Sequence, residues 1–327
     1  MVTIDNIVLA SGVSRSTVCR FLSGKKVRPA SQDAISKALK KLNFRLDVLE
    51  KKKSISIEIR KRPLMRRSSE TSRYRTSFGS ISSSLNTIIN KCNKLGINVN
   101  IVYGNDDNIS TRPDGVIIVS KHFEEERADI ERFKAEGIPV VMLYRNYDDV
   151  SCVTCDNYQA VYDITQMFVD KGHKKIAICG DILIHKNSME KLEGYLDCLN
   201  KNGIAVDETL ICKETNLDNA AGWLSDLIDK GKAPTALITM NDLYALSLTT
   251  EANKHSLKIP DDLSVVGMDN TDLSLLCNPP VSTVDIPFEE MGELAVETLV
   301  ELIKNPRLKT IKKVLDYKLI IRESSPM

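Results

Sequence analysis

From residue 54 onward the chain alternates short Val- and Ile-rich runs with longer amphipathic stretches, and that alternation restricts it to one kind of architecture. Residues 54–59, 97–102, 114–119, 138–143, 175–179, 209–212, 235–239 and 263–267 read as strands. Residues 80–95, 128–136, 157–171, 189–202, 219–230 and 242–256 read as helices. Strands that are apolar on both faces need cover on both faces, and helical crossovers supply it, so the expected structure is parallel sheets flanked by helices. The pattern runs through twice, which predicts two Rossmann-like lobes.

Charge divides the chain differently. Residues 1–75 hold 19 Lys and Arg against 6 Asp and Glu, a net of +13, while the remainder is −12, within a total of +1. A basic head on an acidic body points to a polyanionic partner for the head. Aromatics make up only 5% of the chain, which argues against a sugar surface built on stacked rings. No run approaches the roughly 20 apolar residues of a membrane span. The start, Met1-Val2-Thr3-Ile4, lacks a signal-peptide pattern, so the expected location is the cytoplasm. The eight cysteines lie mostly within apolar runs and are expected to be reduced. Cys152 and Cys155 form a CxxC within a strand-like stretch, where residues three apart face opposite ways. That is poor geometry for a metal site or a redox pair.

The basic head reads as three short helices. In the first, from Thr3 to Ala10, Ile4, Ile7 and Val8 share a face, with Thr3 as cap. Gly12 supplies the positive φ of a tight turn. Ser14 then caps a second helix, Arg15–Leu22, with Val18, Phe21 and Leu22 inward, and a third is expected over Ser31–Leu42. Two helices joined by a glycine turn and completed by a third make a helix-turn-helix. Its outer side offers Arg15 and Ser16 to base edges, Ser14 and Thr17 to phosphate oxygens, and Arg20 and Lys25 as further cations.

The stretch from Val2 to Arg20, with Ala10-Ser-Gly-Val-Ser-Arg-Ser-Thr-Val at its centre, resembles the N-terminal signature of the LacI/GalR (lactose/galactose repressor) family of bacterial transcription regulators. The resemblance implies that Thr3 contacts DNA, and that a hinge follows which forms a short helix on DNA and wedges a leucine into the minor groove. In this chain the family's Pro-Asn pair becomes Leu46-Asp47, an alanine becomes Glu50 and the wedge leucine becomes Lys53. A lysine does not unstack bases as an apolar wedge does. Lys51, Lys52 and Lys53 are therefore expected to track phosphates, with little kinking of the DNA.

The body continues the resemblance in nine ordered pieces, from Gly137-Ile-Pro-Val-Val141 through Lys171-Gly-His173, Leu192-Glu-Gly-Tyr195, Asn241-Asp242 and Ser264-Val-Val-Gly-Met-Asp269 to Leu319-Ile-Ile-Arg-Glu-Ser324. It implies a two-lobe, periplasmic-binding-protein-like core. The expected division is a headpiece at 1–45, a hinge at 46–56 and a core at 57–327. The first lobe takes about 57–152 and 285–314, and the second takes 153–284 and 315–327. Crossings fall near Val153, Val284 and Tyr317. Two departures stand out. A helix usual in the family is missing between Tyr103 and Asp114, and the basic, Ser-rich stretch 60–77 reads as flexible.

By that likeness an effector lies between the lobes. Asp269 follows a buried strand, where its carboxylate would accept ligand hydroxyls. Asn241 both caps a helix and neighbours ligand in the family. Lys191 stands where the family has Arg, keeping the charge but losing the bidentate fork. Tyr144 stands where an Asp is usual, and Leu217 where an aromatic often stacks. Asp156, His185 and Asn187 complete the candidate set, while Trp223 reads as core. The expected function is a dimeric, effector-gated regulator, more usually a repressor, reading a pseudo-palindromic operator in double-stranded DNA. The alternative weighed is a DNA-binding regulator with a vestigial pocket, controlled by a protein partner or by abundance. An enzyme is disfavoured because no phosphate loop, dinucleotide fingerprint, metal motif or nucleophile set is present, and no cofactor is implied.

Overall fold

The computed structural model describes residues 4–22, 25–42, 55–61, 78–103, 112–119, 123–181 and 186–325. Thr3, Leu46, Asp47, Glu50, the lysines 51–53, most of the basic stretch and His185 lie outside the described residues. The chain forms two compact units, Met1–Ile55 and Ser56–Met327.

The first unit is a three-helix headpiece: α1 (Ile4–Ser11), α2 (Arg15–Leu22) and α3 (Pro29–Lys41). Ile7, Val18, Ile35 and Leu39 form its core, flanked by Ile4, Val8, Val13, Phe21, Leu22 and Leu42. Gly12 takes φ +64°, as the turn between α1 and α2 requires. The third helix starts two residues before the expected Ser31. Pro29 occupies its first turn, where a missing N–H costs nothing.

The second unit contains two six-stranded sheets. The first is built from β1 (Ser56–Lys61), β2 (Asn98–Tyr103), β3 (Gly115–Ile118), β4 (Val140–Leu143), β5 (Ser151–Cys155) and β11 (Lys312–Leu315). Its order is β11-β5-β4-β3-β1-β2, and every pair is parallel. It is flanked by α4 (Phe78–Leu95), α5 (Phe123–Ala135) and α11 (Phe288–Lys304). The second sheet contains β6 (Ile176–Cys179), β7 (Ile211–Cys212), β8 (Ala236–Thr239), β9 (Ser264–Met268), β10 (Ser282–Asp285) and β12 (Lys318–Ile320), in the order β12-β10-β9-β8-β6-β7. Its helices are α6 (Asn157–Asp170), α7 (Lys186–Lys201), α8 (Leu217–Asp229), α9 (Asp242–Lys254) and α10 (Asp272–Leu276). The strands β3, β4, β5, β6, β8 and β9 are buried along their whole length, which is why they carry no polar alternation.

Several expectations are corrected. The second sheet is not wholly parallel, because β12 runs antiparallel to β10. The reason is topological: β11 ends at Leu315 in the first lobe and β12 begins at Lys318 in the second, so the chain enters the second lobe from the end at which the other strands finish. The first crossing, expected near Val153, falls after Cys155, because β5 pairs with β4 and β11 in the first sheet. Arg60 is not part of a flexible stretch. It lies in β1, only 2% exposed, and its guanidinium reaches Glu58 and, at 3.3 Å, Asp129. The helix expected from Ala128 begins five residues earlier, at Phe123. Among the described residues no helix is long and apolar enough to cross a membrane. All eight cysteines are free thiols, and only Cys19 is exposed.

Candidate functional site

The outer face of α2 is the first candidate surface. Ser14 precedes the helix and its Oγ accepts from the Thr17 N–H at 3.4 Å, closing the first turn. The Ser14 hydroxyl also meets those of Thr17 (2.9 Å) and Ser16 (3.2 Å). Arg15, Ser16, Cys19 and Arg20 are exposed, and their helical spacing places them in one arc opposite the buried Val18. Thr17 is half-buried, so its hydroxyl serves the cap as much as the surface. Lys25 is exposed just beyond, its N–H bonded to the Arg20 carbonyl. The sequence did not reveal that Arg15 pairs with Asp5 on α1. Its guanidinium is held by a carboxylate that a base or phosphate would have to replace.

In the two-lobe unit the strand ends supply the second candidate. Both sheets share one order, in which successive strands depart on either side of the first, and ligands of such sheets collect at the carboxyl ends next to that reversal. In the second lobe the reversal lies between β6 and β8. There Lys191, 5% exposed on α7, donates from Nζ to the Met240 carbonyl at 3.1 Å. Lys191 also acts electrostatically on Cys155 at the end of β5, whose thiol burial pushes up to about 11. Tyr144, immediately after β4, feels the charge of Asp269, immediately after β9. Residues that follow strands of the two sheets thus lie within electrostatic reach of one another.

Backbone strain is concentrated here. Tyr144 has φ +73°, Asp269 φ +98° and Asn270 φ +47°. Such conformations cost about 1–3 kcal/mol each in non-glycine residues and persist where surrounding bonds over-determine them. The Tyr144 hydroxyl donates to Ser84 Oγ at 2.5 Å, and its ring meets Phe288 edge-on at 5.8 Å. Burial raises its proton affinity above the ordinary phenol range, and the nearby Asp269 charge adds to that. Asp269 is held by its own N–H, which donates to the Val284 carbonyl at 2.9 Å.

Other predicted residues have structural work. Asn241 Oδ1 accepts from the N–H groups of Leu243 (3.0 Å) and Tyr244 (3.2 Å), capping α9. Asp156 caps α6 through the Gln159 N–H at 2.9 Å, at the crossing between lobes. Leu217 is 6% exposed and packs in the second-lobe core, so it does not stand in for a stacking aromatic. Trp223 packs against that same core and donates from Nε1 to the Thr209 carbonyl at 2.9 Å. Asn187 sits in the first turn of α7 with a buried Oδ1 that has no partner among the described residues.

One residue was missed by sequence reasoning. Asp242 is 1% exposed and accepts hydrogen bonds from Thr271 and Thr283. Burial, reinforced by the charge of Asp269, pushes its carboxyl up to about 7. The Asn-Asp pair was read as a cap, but the threonines come from elements whose pairing is invisible in the linear pattern.

A small helical headpiece with an exposed basic face and a two-lobe core of doubly wound sheets define a helix-turn-helix fold joined to a periplasmic-binding-protein-like core. Residues 165–325 match the periplasmic binding protein-like domain model. The chain is 24% identical, over 99% of its own length and 99% of the relative's, to catabolite control protein A of Priestia megaterium. Its fold is similar to that of the Lac repressor dimer bound to operator and an anti-inducer (20% identity, TM-score 0.74, covering 100% of this chain and 99% of the other). It is likewise similar to a transcriptional regulator in complex with cellobiose (22% identity, TM-score 0.71, covering 99% and 100%). LacI-family transcription regulators are thus among its homologues, and its fold is the one they share.

Proposed function

We propose that this protein is a sequence-specific DNA-binding transcriptional regulator, working as a repressor and gated by a small-molecule effector held between the lobes. The observation that carries the reading is the pairing of strained strand ends, Tyr144 facing the Asp269–Asn270 turn across the lobes, in a chain that also bears a basic helix-turn-helix. The effector class that suits these groups is a sugar or related polyhydroxylated metabolite. In this reading Asp269 accepts hydroxyls, Lys191 supplies one buried cation, and Asn241 and Tyr144, whose hydroxyl bonds Ser84, add polar contacts. Asn187, in the first turn of α7, and Asp156 complete the proposed lining, and His185 is kept in it from the sequence alone.

In the headpiece, Arg15 and Ser16 read base edges while Ser14, Thr17, Arg20, Lys25 and Thr3 position the helix on phosphates. Lys51 and Lys53 add backbone contacts on the hinge. The protein acts as a homodimer in the cytoplasm, its two headpieces reading the halves of a pseudo-palindrome. Ligand binding shifts the population of lobe arrangements and so the DNA affinity. No enzymatic activity is assigned, since the relatives that support the reading are regulators.

Selection of duplexes from a random library by the full-length protein near physiological salt tests the reading. A two-fold symmetric enriched site, whose bases change when Arg15 or Ser16 is substituted, is the expected result. Binding that is only non-specific and steeply salt-dependent, with or without added sugars, would refute sequence-specific regulation. Thermal shifts with a sugar and phosphosugar panel test the effector, because a ligand at one hundred times its Kd stabilises by about 2.7 kcal/mol.

A further inference from the structure

The floor of the second lobe contains an ionisable group that effector contact does not use. Asp242 opens α9, yet Asn241 already satisfies that helix's first amides, so the carboxylate is not needed as a cap. It turns into the lobe instead. Its Oδ1 accepts from the Thr283 hydroxyl on β10 at 2.6 Å. Its Oδ2 accepts from the Thr271 N–H at 2.6 Å and the Thr271 hydroxyl at 2.9 Å. Room for it exists because position 267 is glycine, where a Cβ would lie 2.5 Å from Oδ1.

Between Gly267 and Thr271 runs the turn that carries Asp269. Three successive N–H groups hold it: Asp269 to the Val284 carbonyl at 2.9 Å, Asn270 to Thr283 Oγ1 at 3.3 Å, and Thr271 to Asp242 Oδ2. The last ends on Asp242 directly, and the Asn270 bond reaches it through the Thr283 hydroxyl. The side chain of Asn270 is tied separately, donating to Asp285 at 3.2 Å and accepting from Arg322 at 2.8 Å. Two left-handed residues in sequence would otherwise relax.

We propose that Asp242 is a positioning residue: its carboxylate, through Thr271 and Thr283, holds the left-handed turn that presents Asp269 to the cleft. That the presented carboxylate meets an effector rests on the function proposed above; the turn and its proton do not. The charged and titratable groups around Asp242 are Asp269 on the turn, Cys277 after α10, Arg322 near the end of the chain and Asp285 at the end of β10. Of these, Asp269 is the one that acts on Asp242 to hold its proton, after burial itself. A carboxyl that binds its proton more tightly folded than unfolded makes the folded state progressively less favoured as pH rises from about 4 towards its folded value.

The test uses the full-length, ligand-free protein with Asp242→Asn, Thr283→Val, Thr283→Ser and Asp269→Asn. At pH 8, amide exchange over 264–276, corrected for intrinsic rates, loses about tenfold protection in Asp242→Asn and Thr283→Val, the loss of a charge-assisted bond. Thr283→Ser restores it, and peptides of β1 and α6 do not change. In melts from pH 4.5 to 8, the wild type loses Tm relative to Asp242→Asn as pH rises, and Asp269→Asn moves that loss to lower pH. A purely structural contact would not respond to Asp269→Asn in this way. Exchange within twofold of wild type in Thr283→Val, or a wild-type profile parallel to that of Asp242→Asn, overturns the proposal. Should Asp242→Asn fail to fold, the Thr283 pair and Asp269→Asn decide. Neither readout involves an effector, so failure to find one leaves this result standing, and failure here leaves the effector screen standing.

Discussion

Two glycines in helices of the same lobe should respond oppositely to the same substitution. Gly194, in α7, lies where that helix crosses α6, and a Cβ there would be 2.2 Å from the Tyr158 carbonyl oxygen and 3.1 Å from the Tyr162 nitrogen. A carbon rests no closer than roughly 3.3 Å to a carbonyl oxygen, so the helices would have to part by about 1 Å. The obstacle is backbone and cannot rotate away. Separation loosens Tyr195, Cys198 and Leu199 on one helix and Val161, Ile164 and Phe168 on the other, all buried. Overpacking of this kind costs about 3 kcal/mol. Exchanging glycine for alanine inside a helix returns about 1 kcal/mol, leaving Gly194→Ala about 2 kcal/mol less stable. Gly222, in the middle of α8, has nothing within 4 Å of its would-be Cβ, so Gly222→Ala should gain the full 1 kcal/mol or so. At roughly 2–4 °C per kcal/mol, calorimetry should separate the two variants by about 6–12 °C, one on each side of wild type. If Gly194→Ala melts with wild type, or the two variants melt together, the close crossing of α6 and α7 is wrong.

Four further outcomes follow. Cys19 is the one exposed cysteine, on the arc of α2 proposed to face DNA, so a bulky maleimide should label it first and abolish duplex binding, while bound DNA should slow the labelling by an order of magnitude. Asp5→Asn should free Arg15 and remove a negative charge, raising DNA affinity about threefold in a titration at fixed salt, whereas an unchanged affinity would place Arg15 away from the DNA. Arg145→Ala should cost about 3–5 kcal/mol by denaturant unfolding, because it strips the cation from Glu126, which is fully buried, while Glu126→Gln with Arg145→Met should recover most of that loss. Asp149, held below the ordinary carboxylate range by hydrogen bonds from Arg127 and Lys134, contributes stability that is present above about pH 4 and lost as pH falls; since the pairs are exposed, Asp149→Asn should cost under about 1 kcal/mol, and less at 1 M salt.

Much of this architecture was legible because local chemistry agreed with it. Gly12 and Ser14 together mark the start of α2, and the helix begins at Arg15 as they require. The all-apolar strands announced parallel sheets before any pairing was known. What stayed hidden depends on contacts between distant segments. The burial of Arg60 needs Glu58 beside it and Asp129 from α5, and a run of Arg, Lys and Ser shows neither. The role of Asp242 needs Thr271 and Thr283, brought in by β9 and β10. The reversal of β12 follows from the path between lobes, which residue periodicity does not encode. The candidate cleft was half legible. Asp269 and Tyr144 follow β9 and β4 directly and Lys191 is buried on α7 beside the Met240 carbonyl, whereas Asn241 and Asp156 cap helices and Leu217 is core.

The interleaving of the two lobes has a consequence for synthesis. The first sheet holds β1 to β5, but its edge strand β11 and the helix α11 come from residues 288–315, after nearly the whole second lobe. α11 lies against α4, where Lys91 reaches Glu297 at 2.7 Å and Gly292 fits tightly over the Ser84 carbonyl. A ribosome that has delivered residues through Cys155 has therefore released a sheet with one edge unpaired and one helix face uncovered. The second lobe needs only β12 to finish and lies in one nearly continuous stretch. Emerging chains should thus complete the later lobe almost as early as the first. Until its last strand and helix arrive, the N-terminal lobe is the part that chaperones would have to shield.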